Sequence, residues 1–118
     1  MEKIVYVITC ADENPEKAII PFVLANGART LDIDTTIILQ SNGVLIAKKE
    51  YASKIRHSGF DPLDKLLNDY ISSGGKLYLC GPCVKSRNIE NELIDGAVII
   101  GAAKVAMEAI EAKAVFTY

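Results

Sequence analysis

Between Lys3 and Cys10 the chain places Ile4-Val5-Tyr6-Val7-Ile8-Thr9, a continuous β-branched and aromatic run with no polar alternation. A strand with one wet face would alternate apolar and polar side chains, so this run predicts a central strand buried on both faces. Such strands belong to parallel sheets, and parallel neighbours require crossover connections that are almost always right-handed and helical. The rest of the chain supplies them. Asn14 and Pro15 form an N-cap and a first helical position, predicting a helix to about Ala25 that kinks or restarts at Pro21. Asp34 to Gln40 predicts a second strand closed by Ser41-Asn42-Gly43, and Val44 to Ile55 carries a helical spacing. Asp61 as N-cap and Pro62 at the first helical position open a helix with apolar Leu63, Leu66, Leu67, Tyr70 and Ile71. Lys76 to Cys80 predicts a third strand and Cys83 to Arg87 a short helix that Asn88 ends in a left-handed conformation. Asn91 to Asp95 reads as a brief turn. Ala97 to Ile100, a helix from Gly101, and Ala114 to Tyr118 complete a three-layer α/β/α arrangement on a mostly parallel five-stranded sheet.

No linker or repeat interrupts this pattern, so residues 1–118 are expected to form a single domain. Half of the residues are apolar and the mean hydropathy is +0.21, high for a free-standing domain. That surplus, together with the broad apolar surface of the first helix around Val23 and Leu24, predicts burial between subunits. A net charge of −2 and a pI near 5.4 provide no basic field for a phosphate backbone, which argues against nucleic acid as a partner. The start lacks the pattern of a secretory signal, and the most apolar stretch, Ala97 to Ile110, is short and carries Lys104 and Glu108. Neither membrane association nor export is expected. Three cysteines in such a chain point to a reducing, cytoplasmic setting in which thiols serve reactivity or packing.

Ligands of open α/β sheets collect at the carboxyl ends of the strands. Cys10 ends the first strand and Cys80 the third, so the two thiols would line one crevice if their strands were neighbours. The Cys80-Gly81-Pro82-Cys83 turn opens a helix, whose N-terminal partial charge is expected to favour the Cys80 thiolate. Gly81 would admit a bulky sulfur acceptor, and Arg87, with Lys85, would help hold an anion. Free cysteine is also among the most buried residue types, and Cys10 reads first as a small core hydrophobe. Cys83 is either a resolving thiol for Cys80 or helix packing. A closed zinc site would need all three cysteines and His57 from scattered segments, so no metal is expected. No phosphate-binding loop, dinucleotide fingerprint or nucleophile elbow is present, and His57 is assigned no role.

The segment Leu77-Tyr78-Leu79-Cys80-Gly81-Pro82-Cys83-Val84-Lys85-Ser86-Arg87-Asn88-Ile89 resembles the signature region of the DsrE/DsrF-like family. There a strand ends in cysteine, a short helix follows, and Arg-Gly plus an aliphatic residue closes it; here Asn88 stands in place of the glycine. The likeness extends to Gly74-Gly75-Lys76, to Leu93 through Ile99, and to Ala114-Val115-Phe116. It implies a sulfur carrier or sulfurtransferase-like protein in which Cys80 holds a persulfide, with sulfur donor and acceptor proteins or small thiols as partners. It also implies no cofactor and a homo-oligomer, trimer or hexamer. Cys83 departs from single-cysteine relay proteins and leaves open a dithiol redox protein using Cys80 and Cys83. A non-catalytic oligomeric binding module is the remaining alternative.

Overall fold

The computed structural model describes residues 2–118 and contains one sheet of five parallel strands in the order β4-β3-β2-β1-β5. The strands are β1 (Lys3–Ile8), β2 (Asp34–Leu39), β3 (Lys76–Cys80), β4 (Ala97–Ile100) and β5 (Ala114–Thr117). The helices are α1 (Pro15–Thr30), α2 (Leu63–Ser72), α3 (Gly81–Ser86) and α4 (Ala102–Glu111). The longest apolar run is central, as its lack of alternation requires: β1 pairs with β2 on one side and β5 on the other.

One face of the sheet carries the main core. Ile19 and Phe22 of α1 and Leu63, Leu67 and Tyr70 of α2 pack with Tyr6, Ile8, Ile37, Leu39, Leu77 and Leu79. Gly75 lets β3 start beneath Tyr70, since a Cβ there would lie 2.3 Å from that ring. The opposite face is covered by α4, whose buried side chain is Glu108. Around it Val98, Met107, Ile110 and Val115 remain exposed, while Ile99 and Phe116, in register with Leu79 and Tyr6, are exposed at the two edges of the core-bearing face.

Three local expectations change. Helix α1 runs unbroken through Pro21 and Gly27 to Thr30, because Pro21 is itself buried and core contacts on both sides of it offset the missing amide donor. Helix α2 starts at Leu63, with Pro62 at the cap position. The helix expected over Val44 to Ile55 is replaced by two 3-10 segments, Ser41–Ala47 and Ala52–Lys54. Gly43 is pressed against β1, where a Cβ would lie 2.2 Å from the Ile8 carbonyl oxygen. Between the segments the backbone pairs Lys48 with Leu93 and Glu50 turns with φ of 66°. The chain here serves as a brace between β1 and the loop after α3, and a regular helix cannot reach both. No helix among the described residues is long and apolar enough to cross a membrane.

Candidate functional site: two thiols at a strand end

Cys80 closes β3 and α3 begins at the next residue, so the strand delivers this sulfur to the carboxyl edge of the sheet. Pro82 lacks an amide proton and fits the first turn of α3 without cost, which brings Cys83 back over the strand end. The two sulfurs lie 2.8 Å apart and share a hydrogen bond. The Cys83 Sγ also accepts the Ser41 N–H at 3.2 Å. Ser41 holds φ at 51°, a left-handed conformation uncommon outside glycine, at the point where β2 hands over to the 3-10 segment. Arg87 fastens the same loop: its Nη2 and Nε donate to Asn42 Oδ1 at 2.9 and 3.2 Å, and its Nη1 donates to the Cys83 carbonyl at 3.1 Å. Asn88 has φ of 54°, the left-handed conformation predicted for it.

A cavity of about 220 Å³ borders Cys80 and is lined also by Gln40, Pro82, Ile100, Ala102 and Val105. Its wall is mainly apolar, and it stands between the end of β3, the β4–α4 junction and the first turns of α4. A larger groove of about 540 Å³, lined among others by Lys48, Asp64, Asn68 and Asp95, contains no thiol or histidine. Among the described residues no group of three or more His, Cys, Asp or Glu side chains is arranged to hold a metal ion.

The electrostatics differ from the expected activation of Cys80. Burial pushes its thiol up from the ordinary value, and the adjoining Cys83 sulfur pushes it further; the Cys83 amide and Arg87 act in the opposite direction but do not prevail. The N-terminus of α3 does not offset them, because α3 spans only Gly81–Ser86 and its dipole is correspondingly small, while desolvation and a second sulfur act at contact distance.

The other expected residues are distributed as follows. Cys10 is buried in the α1 side of the core and its Sγ lies 3.7 Å from the Asn14 carbonyl. Strand β2 separates β1 from β3, so the condition for a shared crevice is not met: the two strand ends stand about 10 Å apart across the sheet. Burial, then Glu13, raises the Cys10 thiol, with Lys17 opposing. Gly81 lies beside Cys80, and a Cβ there would make only ordinary contacts of 3.4 Å with Ile99 and Ile100. Arg87 is engaged with Asn42 and Cys83 and acts as a brace for the dithiol. His57 is exposed, 3.7 Å from a Glu16 carboxylate oxygen. Gln40, which reads as the end of the second strand, and Ser41 and Asn42, which read only as a turn, were missed as site residues; knowing that β2 is the neighbour of β3 would have brought that strand end and turn to Cys83.

These features define a class: a three-layer α/β protein with an entirely parallel sheet and a cysteine site at a strand's carboxyl end. The sequence pattern of the DsrE/DsrF-like family matches residues 2–118, and the chain belongs to that family, which is associated with sulfur relay. Two uncharacterized proteins of Methanocaldococcus jannaschii are similar to it. MJ0760 is 31% identical over 86% of this chain, which spans only 38% of that relative's length. MJ0989 is 35% identical over 80% of this chain and 81% of its own. The fold is that of the YchN protein of E. coli, with a TM-score of 0.85 at 24% identity over the whole of both chains. It is also that of MTH1491 from Methanobacterium thermoautotrophicum, with a TM-score of 0.71 at 14% identity over the whole of both chains.

Proposed function

We propose that the protein is a sulfur carrier that holds sulfane sulfur as a persulfide on Cys80 and passes it to a partner thiol. The observation that carries this reading is the position of Cys80, at a strand's carboxyl end and beside a 220 Å³ apolar cavity. A water occupies about 30 Å³ of liquid, so the space suffices for one added sulfur atom and the tip of an incoming thiol. In loading, the Cys80 thiolate attacks the outer sulfur of a donor persulfide, forming one S–S bond as the donor thiolate leaves. In unloading, an acceptor thiolate attacks the outer sulfur of the Cys80 persulfide and Cys80 leaves as thiolate. Neither step changes the overall redox state, so no cofactor enters. Membership of a family associated with sulfur relay supports the assignment.

Incubation with cysteine hydropersulfide followed by intact-mass and peptide analysis tests it. A gain of about 32 Da, one sulfur atom, is expected on the Cys80 peptide and not in Cys80→Ser. An unmodified Cys80 in both the native protein and Cys83→Ser would refute the carrier reading. We further propose that the carrier is a homo-oligomer buried through the α4 face, supported by Met107, Ile110, Val98 and Val115, which are 56%, 84%, 50% and 44% exposed in the single chain. Light scattering should then report a multiple of the 12.8 kDa chain, falling toward one chain in Ile110→Lys.

A further inference from the structure

We infer that Cys83 discharges the Cys80 persulfide within the same chain, releasing hydrosulfide and leaving a Cys80–Cys83 disulfide. This rests on the loading step of the carrier reading and describes what happens when no acceptor thiol reaches the cavity. The Cys83 thiolate attacks the inner sulfur, Cys80 Sγ; the Sγ–Sγ bond forms and the bond to the outer sulfur breaks. The outer sulfur leaves with the electron pair as HS⁻. Sulfane sulfur is reduced to sulfide, and the two cysteine thiols supply both electrons by becoming a disulfide. The step therefore balances without an external reductant, and a small dithiol or a protein dithiol resets the pair for another round.

Three observations converge on it. The sulfurs are 2.8 Å apart, so closing to a disulfide of about 2.05 Å requires a movement of less than an ångström. The cavity that would receive the outer sulfur is lined by Cys80, and Cys83 is not among its lining residues, so a sulfur added from the cavity leaves Cys80 Sγ open to Cys83. The Ser41 amide and the Arg87 clamp fix Cys83 in this position before any sulfur arrives, which gives the internal thiol the advantage of a pre-positioned intramolecular reaction over free thiols. The raised Cys80 thiol adds to this. A thiolate that is costly to form is a poor leaving group, so attack on the outer sulfur with expulsion of Cys80 is slowed relative to attack on the inner sulfur with expulsion of hydrosulfide.

The test is a single turnover without reductant under anaerobic conditions. Native protein and Cys83→Ser are loaded with cysteine hydropersulfide, rapidly desalted, and followed by intact mass, peptide mapping and a sulfide-selective probe. The native chain is expected to lose the added sulfur, release one equivalent of sulfide per loaded chain, and end about 2 Da lighter than the reduced form with a Cys80–Cys83 linkage. Cys83→Ser should retain its persulfide and release sulfide at least roughly tenfold more slowly. Equal persistence of the persulfide in both proteins overturns the inference while leaving the carrier reading intact. Failure of both to load overturns the carrier reading instead.

Discussion

The cavity beside Cys80 depends on α4, and α4 is seated by a charge. Glu108 is 2% exposed and accepts hydrogen bonds from Lys3 Nζ at 2.6 Å, Lys104 Nζ at 3.1 Å and Thr36 Oγ1 at 2.9 Å. Burial alone would raise its carboxyl, but these three donors overcome it and hold the group at about 2, against an ordinary 4.5. Because the folded value lies below the unfolded one, the stabilisation is complete above the unfolded value and disappears as pH falls from 4.5 toward 2. At 1.36 kcal/mol per tenfold, the separation corresponds to roughly 3 kcal/mol at neutral pH, of which about 2 kcal/mol is already gone at pH 3. Glu108→Gln removes the ionisable partner and leaves Lys3 buried beside a neutral amide. Urea unfolding followed by circular dichroism at fixed protein concentration should show the variant less stable by roughly 3 kcal/mol at pH 7 and by only about 1 kcal/mol at pH 3. Thr36→Val, which removes a single donor, should show the same trend at smaller amplitude. With α4 less firmly seated, Cys80 in the Gln variant should alkylate faster at a fixed pH. A stability difference that is identical at pH 7 and pH 3 would refute the claim that this carboxylate anchors the helix.

Removing the second sulfur in Cys83→Ala should lower the midpoint of Cys80 alkylation against pH, since Cys83 is one of the causes that raise it; a midpoint that rises or stays fixed contradicts the assigned cause. Gly43→Ala, which drives a Cβ toward the Ile8 carbonyl, should cost roughly 1–3 kcal/mol in chemical unfolding and loosen the loop that carries Ser41. At Asn88, where φ is 54°, glycine should be tolerated within about 1 kcal/mol while valine should cost roughly 1–3 kcal/mol, measured by the same unfolding midpoint.

Most of the fold was legible because strand burial and helix punctuation act locally. The unbroken apolar run at β1 predicts a strand covered on both faces, the β-branched stretch at β2 and the near-continuous apolar stretch at β3 predict its companions, and Asn14-Pro15 and Gly101 lie at the starts of α1 and α4. The errors occurred where a distant contact decided the outcome. The spacing of Val44, Ala47, Tyr51 and Ile55 is helical, yet three of the four are buried in a chain that winds as 3-10 segments, because Gly43 must sit on the end of β1 and Lys49 donates to the Glu92 carbonyl at 2.7 Å. No local pattern reports that pairing. Similarly, strand order is invisible to periodicity, and with it the fact that β2 stands between Cys10 and Cys80.

The site was legible in position but not in electrostatics, and the difference bears on its chemistry. A strand ending at Cys80 and a proline at the start of a helix locate the thiol from sequence alone. Its proton affinity depends on what lies within a few ångströms, and here that is an apolar wall and another sulfur rather than a long helix dipole. An activated thiolate would suit rapid turnover by attack and departure at the same sulfur. A thiol raised by burial would, under the proposed carrier role, be slower to load, slower to be expelled once loaded, and better discharged by an adjacent nucleophile. The pairing of a sheltered Cys80 with a clamped Cys83 is therefore consistent as a unit in the proposed discharge, because burial makes Cys80 a reluctant leaving group while the Ser41 amide and Arg87 hold its internal acceptor at 2.8 Å.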